Sequence, residues 1–521
     1  MEGLSAVRYV GRFKEYNVFL RVSGSPRIAL VYPSTYQASI TNLFTHLAYN
    51  YLIEKSDALV DRFTLDNPDR GAISGRRLKD FDLLLVSANY ELDLIYIIKL
   101  LREGGVEPLA SSRRRRPLVV IGGLAAMSNP EPFIEIADAV FVGDGEILLE
   151  RLVKAAHLLP GSADSFLDSL GDGLYMGVSR VSKVYVQNLD TAPHPTVEIR
   201  SATVKPVYGD GFYVEISRGC RWLCKFCLES FVMYPYRVRS LGTLVKLIDE
   251  GLRNVSSRRV VIYSLSVFDH PTIRDLLRYL INNGVDFSLP SLRWDTLNKE
   301  DLDLISASSQ RTLTLAPEVV DTDLSCFLGK CFVEERFTEL AEEALRRGFD
   351  LKLYLMEGLP GESEGTLLRA VNYLRNLVRY AKSLGRGVSI TVNPLVPKPH
   401  TPLQLLPLVP EEVYQARVRL LKRELGGASV ESLRWSHAFM QALIALGDRR
   451  VGRVLLISGS EGFSRGAIAR VAEGLGVDLG YPLRCRDLDE APWRTTVMPL
   501  DKVVERVSVE IRQQASECRR G

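Results

Sequence analysis

Cys220, Cys224 and Cys227 fall within eight residues, in the stretch Ser217-Arg-Gly-Cys-Arg-Trp-Leu-Cys-Lys-Phe-Cys. Thiolates are the usual ligands of iron–sulfur clusters. Three of them can hold one edge of a cluster and leave one metal position without a protein ligand, free to hold a co-substrate. The competing reading is a structural zinc ion, which takes four ligands. The nearest histidines along the chain are His194 and His270, so only a distant cysteine such as Cys326 or Cys331, folding back, would complete a zinc site. The first cysteine follows directly on an apolar, strand-like run after Arg218-Gly219. The loop therefore belongs at a strand's carboxyl end, where barrel enzymes keep their chemistry.

The elements that must position this loop are legible as alternating strands and helices. Over 1–158, apolar runs at 27–32, 81–87, 118–121 and 137–142 read as strands, with helical patterns at 40–54 and 92–102. That alternation predicts an α/β, doubly wound, Rossmann-like parallel sheet with glycine-rich loops at its strand ends. Residues 159–208 read as a connector that adds a small hairpin. From 209 to 408, strands are predicted at 213–217, 259–264, 285–289, 312–316, 351–356 and 388–393, separated by helices. Six such units are too few for a closed eight-stranded barrel, so a partial, TIM-like (βα)6 barrel is expected. Residues 409–521 read as mostly helical, with one further strand at 453–457.

The bulk numbers narrow the class. At 521 residues the chain exceeds one typical core, so several domains are expected. Hydrophobic residues make up 46% and charged residues 25%, as in an ordinary globular protein. A net charge of +3 neither demands nor excludes a nucleic-acid partner. No apolar run is long enough to span a membrane, and the N-terminus lacks a secretory pattern, so a cytoplasmic address is expected. Seven cysteines, three of them clustered, fit metal binding in a reducing compartment rather than a disulfide framework. Cys326 and Cys331 read as plain thiols, and Cys485 and Cys518 carry no signal. Arginine outnumbers lysine by 50 to 16, and the run 113–116 reads as a solvated basic loop.

The spacing Cys-x3-Cys-x2-Cys, with Phe226 before the last cysteine, resembles the signature of the radical S-adenosylmethionine superfamily. The resemblance implies that Cys220, Cys224 and Cys227 bind three irons of a 4Fe–4S cluster. In that family the fourth iron chelates S-adenosylmethionine, and one-electron reduction cleaves it to methionine and a 5′-deoxyadenosyl radical. Phe226 would pack near the adenine. Further segments extend the likeness in order over 210–405. Ser264-Leu-Ser266 stands where the family has a Gly-Gly-Glu-like segment for the methionine amino group, without its glycines or glutamate. Leu315-Ala-Pro-Glu318 resembles the strand-four motif, which makes Glu318 a candidate for ribose or carboxylate. The stretch 355–362, Leu-Met-Glu-Gly-Leu-Pro-Gly-Glu, resembles the glycine motif that brings backbone to adenine, here at Gly358. The segment 396–402, Val-Pro-Lys-Pro-His-Thr-Pro, resembles another recurrent piece. His400 and Glu362, in strand-end loops, are open candidates for substrate contact.

The front region resembles the cobalamin-binding-type domain that precedes many such cores. Gly122-Gly123, the stretch 129–132 (Asn-Pro-Glu-Pro) and the stretch 143–146 (Gly-Asp-Gly-Glu) carry that likeness. The Asp-x-His-x-x-Gly loop of histidine-ligating cobalamin domains is absent, and His46 lies in an apolar helical pattern that reads as core. The reading favours a domain that has kept the fold and lost cobalamin, with a corrinoid bound without histidine as the other branch. The expected function is reductive cleavage of S-adenosylmethionine and modification of an unidentified substrate, with methyl transfer as one route. An RNA-modifying radical enzyme and a non-catalytic zinc-binding adaptor are the alternatives. Methylthiolation would want a second cluster, and no cysteine precedes Cys220. The chemistry implies an electron donor such as ferredoxin or flavodoxin. The stretch 447–450, Gly-Asp-Arg-Arg, reads as a helix-terminal salt-bridge cluster.

Overall fold

The computed structural model describes residues 11–515 and 518, apart from 20, 22 and 114–116. Of the basic run 113–116, Arg113 pairs with Asp138 at 3.0 Å, and the other three arginines lie outside the described residues.

The front sheet has six strands: β1 (Arg27–Val31), β2 (Leu59–Phe63), β3 (Leu83–Ser87), β4 (Leu118–Gly122), β5 (Ala139–Phe141) and β6 (Leu174–Tyr175). Their order is β2-β1-β3-β4-β5-β6, parallel except for β6. Helices α1 (Leu43–Lys55), α2 (Asp93–Glu103) and α3 (Gly145–Ala155) cover its faces. The near-continuous apolar runs follow from burial on both sides. β1 lies between β2 and β3, so the winding direction reverses beside it, and such a reversal opens a crevice at the strands' carboxyl ends. Sequence reading missed β2, because Leu-Val-Asp-Arg-Phe carries two charges. Both are buried and answered. Asp61 accepts from the Ile73 and Ser74 amides at 3.0 and 2.7 Å, and Arg62 pairs with Glu15.

The second unit holds β7 (Phe212–Glu215), β8 (Arg259–Tyr263) and β9 (Asp286–Ser288) in one parallel sheet. β10 (Thr312–Glu318), β11 (Asp350–Glu357), β12 (Val388–Pro394) and β13 (Ser429–Ser432) form another. A single bridge, Leu292 to Leu315, spans the gap between the two sheets. The six expected strands are present, and β13 is added. Its Ser-Val-Glu-Ser pattern, exposed or half-buried throughout, gives no apolar signal. Helix α4 (Leu228–Val232) follows the cysteines, and α5 (Thr322–Leu328) follows β10.

The C-terminal region corrects two expectations. Residues 453–457 are helical, inside α7 (Arg449–Ser458), which buries Val451, Val454, Leu455 and Ser458 at helical spacing. Together with α6 (Trp435–Leu446) and α8 (Arg465–Gly474), it shares a hydrophobic core with the front sheet. Asn129 donates to the Ala445 and Gly447 carbonyls at 2.9 and 2.8 Å, and Glu131 pairs with Arg449 at 2.9 Å. The 129–132 stretch read as cobalamin-like thus clamps the C-terminal helices, and Arg449 fills the expected salt-bridge role. The connector forms no hairpin. Its short strands Val181–Ser182 and Arg200–Ser201 pair with Thr496–Val497 and Glu15–Tyr16.

Cys326 and Cys331, expected as plain thiols, are paired with each other, and Cys485 is paired with Cys518. The three of the clustered stretch remain free. Among the described residues no helix is long and apolar enough to cross a membrane.

Candidate functional site

The cysteine loop leaves the carboxyl end of β7. Ser217–Arg218 pairs antiparallel with Arg237–Val238, which pinches 219–236 into a loop. Gly219 has φ +78°, and a Cβ there would lie 2.7 Å from the Met233 carbonyl oxygen and 2.8 Å from that of Pro235, so the turn requires glycine. Cys220 and Cys224 are buried, Cys227 is half-buried, and Cys227 stands at the N-cap of α4. Desolvation, with Glu229 nearby, pushes the Cys227 thiol up to about 12, and desolvation raises Cys224 as well. Such thiols bind metal only by releasing their protons, so the charge a metal brings is what stabilises the thiolates here. A single tetrahedral ion would draw its ligands to one point, and no three Cys, His, Asp or Glu side chains among the described residues converge in that way.

Sequence reasoning missed the residue that touches this loop most directly. Arg293, after β9, donates from Nη1 to Cys224 Sγ at 3.2 Å, stacks over the Trp222 ring at 3.9 Å and pairs with Asp295 at 2.7 Å. No motif marks it. The segment after β10 also lies on the loop. The Lys225 amide donates to Leu328 O at 2.9 Å, and Gly329 approaches the Cys224 backbone. Cys326 and Cys331, both exposed, close this segment into a short ring.

The other candidates fall into separate groups. Phe226 packs against the hydrophobic cluster that contains Leu359 and Leu395, near the ends of β11 and β12, and Met356 packs against the same cluster. Gly358 has φ +87°, and a Cβ there would lie 2.5 Å from Val409, so packing alone already demands glycine. Ser264 Oγ shares a 2.7 Å hydrogen bond with Ser217, on the flank of the cysteine loop. Ser266 donates to Asp269, which also accepts from Trp222 Nε1. Glu318, in a left-handed conformation (φ 65°), is held by Lys330 at 3.0 Å. His400 and Glu362 are tied internally. His400 bonds Asp501 at 2.7 Å, while Glu362 accepts from the Gly358 amide at 2.8 Å and pairs with Arg417.

Facing the cysteine loop is a cavity of about 640 Å³. The carboxyl ends of the front strands form one wall, through Tyr32, Ser87 and Gly122, and Ser217, Gly219 and Ser264 form the other. Arg218 ties the two walls together. It pairs with Glu146 at 2.6 Å, Glu215 at 2.8 Å and Asp144 at 3.3 Å, and Arg237 adds a 2.6 Å contact to Asp144. Burial alone would raise Asp144 and Glu215, but the arginines outweigh it and hold both below the usual carboxylate range. The 143–146 loop is therefore a latch between the two units. Its glycines serve packing, since a Cβ at Gly143 or Gly145 would strike Val184 O at 2.4 Å or the Phe44 ring at 2.2 Å. Gly123 (φ +107°) is closed by Ala88 O at 2.6 Å, whereas a Cβ at Gly122 meets nothing nearer than 3.9 Å, so only Gly122 leaves backbone open to the cavity. The histidines are committed. His46 is buried, contacts Ile40 O at 3.0 Å and accepts from the Ile199 amide at 3.1 Å; desolvation lowers it to about 3. His194, on the cavity wall, accepts from the Glu215 amide at 3.1 Å and contacts Pro195 O at 3.0 Å.

A parallel α/β unit with three free thiols at the carboxyl end of its first strand is the architecture of a cluster-bearing enzyme. Residues 214–374 match the family described as the Radical SAM superfamily, and 45–172 match Radical SAM proteins, N-terminal. An uncharacterised protein of Methanocaldococcus jannaschii is 30% identical over 435 residues, 82% of this chain and 90% of that one. The ribosomal protein uS12 methylthiotransferase RimO of Trichodesmium erythraeum is 25% identical over 222 residues, 38% of this chain and 44% of that one. In fold, the chain is similar to the radical S-adenosylmethionine methyltransferase TsrM of Kitasatospora setae, whose structure has cobalamin and a 4Fe–4S cluster bound. The TM-score is 0.50 at 14% identity, covering 86% of this chain and 100% of that one. The chain belongs to the radical S-adenosylmethionine superfamily and is a radical S-adenosylmethionine enzyme. Membership implies a 4Fe–4S cluster, S-adenosylmethionine and a reductant.

Proposed function

We propose that the chain methylates a substrate held in the cavity between the front sheet and the cysteine loop, and that a corrinoid bound there carries the methyl group. In this reading the two parallel sheets of the second unit are the staves of an open barrel. Cys220, Cys224 and Cys227 are the cluster ligands, and Phe226, Gly358 and Ser266 border S-adenosylmethionine. The observation that carries the reading is the cavity itself, because the carboxyl ends of the front strands line one side of it and Ser217, Gly219 and Glu229, which flank the cysteines in sequence, line the other. The residues fit both groups. Three unpaired thiols suit the cluster, and the open backbone of Gly122 with largely apolar walls suits a planar macrocycle. With His46 and His194 committed elsewhere, the corrinoid would bind without a histidine ligand. When bound, the cluster supplies the electron that cleaves S-adenosylmethionine, and the corrinoid supplies a transferable methyl group. The protein's own part is orientation and exclusion. Arg218 fixes the distance between the walls, and Arg293 donates a charged hydrogen bond to the Cys224 sulfur.

Anaerobic reconstitution tests the reading in two stages. Iron and sulfide near four per chain, and 5′-deoxyadenosine on reduction with S-adenosylmethionine, are expected. Zinc uptake without cluster absorbance would overturn the cluster assignment. Hydroxocobalamin should bind stoichiometrically with a shifted spectrum, and absence of binding removes the methyl carrier.

A further inference from the structure

Four carboxylates line the cavity: Asp144, Glu146, Glu215 and Glu229. Three are matched by cations of the protein. Asp144 has Arg237 at 2.6 Å and Arg218 at 3.3 Å, Glu146 has Arg218 at 2.6 Å, and Glu215 has Arg218 at 2.8 Å and Arg239 at 3.5 Å. Glu229 is different. It stands in the first turn of α4, exposed to the cavity, and among the described residues its carboxylate makes no hydrogen bond or ion pair. The other cations of the wall do not answer it. Arg218 is committed to three acids, and Arg239 bonds the Leu189, Ala192 and Glu215 carbonyls besides its contact with the Glu215 carboxylate. The surrounding wall is largely aromatic and aliphatic, with Phe44, Met127, Tyr208, Tyr263 and Leu265. A five-residue helix gives an acid in its first turn only a small dipole gain. A carboxylate without a protein partner, beside largely apolar walls, can receive a cation with hydrogens to donate.

We propose that Glu229 anchors a protonated amine or guanidine that the substrate carries on an apolar or aromatic body. The assignment rests on the cavity being the reaction chamber. It places the cationic end of the substrate beside the cysteine loop and its body against the aromatic wall.

The test uses cluster-reconstituted protein with phenethylamine and its neutral counterpart phenethyl alcohol as probes, followed by calorimetry and saturation-transfer NMR. Wild type should bind the amine more tightly than the alcohol. Glu229→Gln should weaken the amine about 10- to 100-fold, the range for a lost hydrogen bond to a charged group, and leave the alcohol unchanged. Glu150→Gln, on the exposed side of α3 beside Lys154, is the control and should change neither. Iron content and thermal melting establish that each variant is folded. The wild-type measurement stands without any variant, since equal binding of amine and alcohol overturns the proposal. Hydroxocobalamin titration of the same variants separates it from the corrinoid reading. Loss of amine binding with corrinoid binding retained supports the anchor. Corrinoid binding lost with amine binding unaffected overturns it and gives Glu229 to the corrinoid's amides. A wild type that binds the amine but no corrinoid keeps the anchor and refutes the methyl carrier.

Discussion

Two strand-end loops face each other across the cavity, and they answer their sequences differently. The 143–146 loop of the front sheet has the glycines and acids of a ligand-binding turn, yet its acids are paired with Arg218 and Arg237 and its glycines are filled by neighbours. The cysteine loop keeps three thiols that no other cysteine pairs. One loop has its charged side chains answered by the protein, and the other keeps its three thiols free. Similarity of motif therefore locates a loop, while the partners of its side chains decide whether it binds a ligand or fastens two units.

The sharpest way to break this contrast is to act on the cysteine loop. Cys224→Ala should abolish cluster content and 5′-deoxyadenosine formation while leaving the far-ultraviolet melt of the apoprotein nearly unchanged, because alanine stays small and apolar at this buried position and the side chain gives up little beyond its contact with Arg293, which keeps Asp295. Loss of fold along with the cluster would make the cysteine loop structural, like its neighbour. Acting on the latch should give the reverse pattern. Arg218→Leu removes the shared cation of three buried or half-buried acids and should cost about 3–5 kcal/mol in denaturant unfolding of the apoprotein. A loss under about 1 kcal/mol would mean the latch does not hold the units together.

The same latch should be sensitive to acid. Burial is the largest single influence and raises Asp144 and Glu215, but the cations together outweigh it, Arg218 with Arg237 and Lys183 at Asp144 and Arg218 with Arg239 and His194 at Glu215. Their folded values lie below the unfolded ones, so their stabilising contribution is present above the ordinary carboxylate range. It is lost as pH falls through the folded values, below about pH 4. Unfolding free energy measured from pH 6 downward should drop more steeply in wild type than in Arg218→Leu. The smallest effects belong to the clamp on the C-terminal helices. Arg449→Ala leaves the buried Glu131 with the Tyr175 hydroxyl but no cation and should cost about 1–2 kcal/mol, screened because the guanidinium is 45% exposed. The adjacent Arg450→Ala, whose partner Asp448 is on the surface side of the turn, should stay within about 0.5 kcal/mol. Equal losses would show that position on the helix, not pairing with Glu131, sets the cost.

Much of this architecture can be read in the chain because strands buried on both faces leave apolar runs that need no context. That is why β7 to β12 and four strands of the front sheet are visible. β2 hides because Asp61 and Arg62 are buried with partners brought from elsewhere, and β13 hides because an edge strand has no reason to be apolar. Residues 453–457 mislead for the opposite reason. Val454, Leu455 and Leu456 are all buried where α7 enters the front core, and a short apolar run reads equally as strand or helix. At the site, spacing reveals the cysteines, because one loop must present all three. Arg293 and Glu229 act as single residues, without a repeat or an offset, and only the fold brings them to Cys224 and to the cavity. The arginines that close the front loop lie far from it in sequence, so nothing local distinguishes a latch from a ligand site.

The exposed ring closed by Cys326 and Cys331 bears on how the enzyme is handled. It encloses Gly329, which lies beside the Cys224 backbone, and Lys330, which holds Glu318. Dithiols added during anaerobic purification to protect the cluster would also exchange with an accessible disulfide. Preparations made with and without them would then differ at the loop that lies against Cys224. Thiol state, counted by alkylation and mass spectrometry, is therefore a variable to fix before cluster occupancies or turnover rates from different preparations are compared.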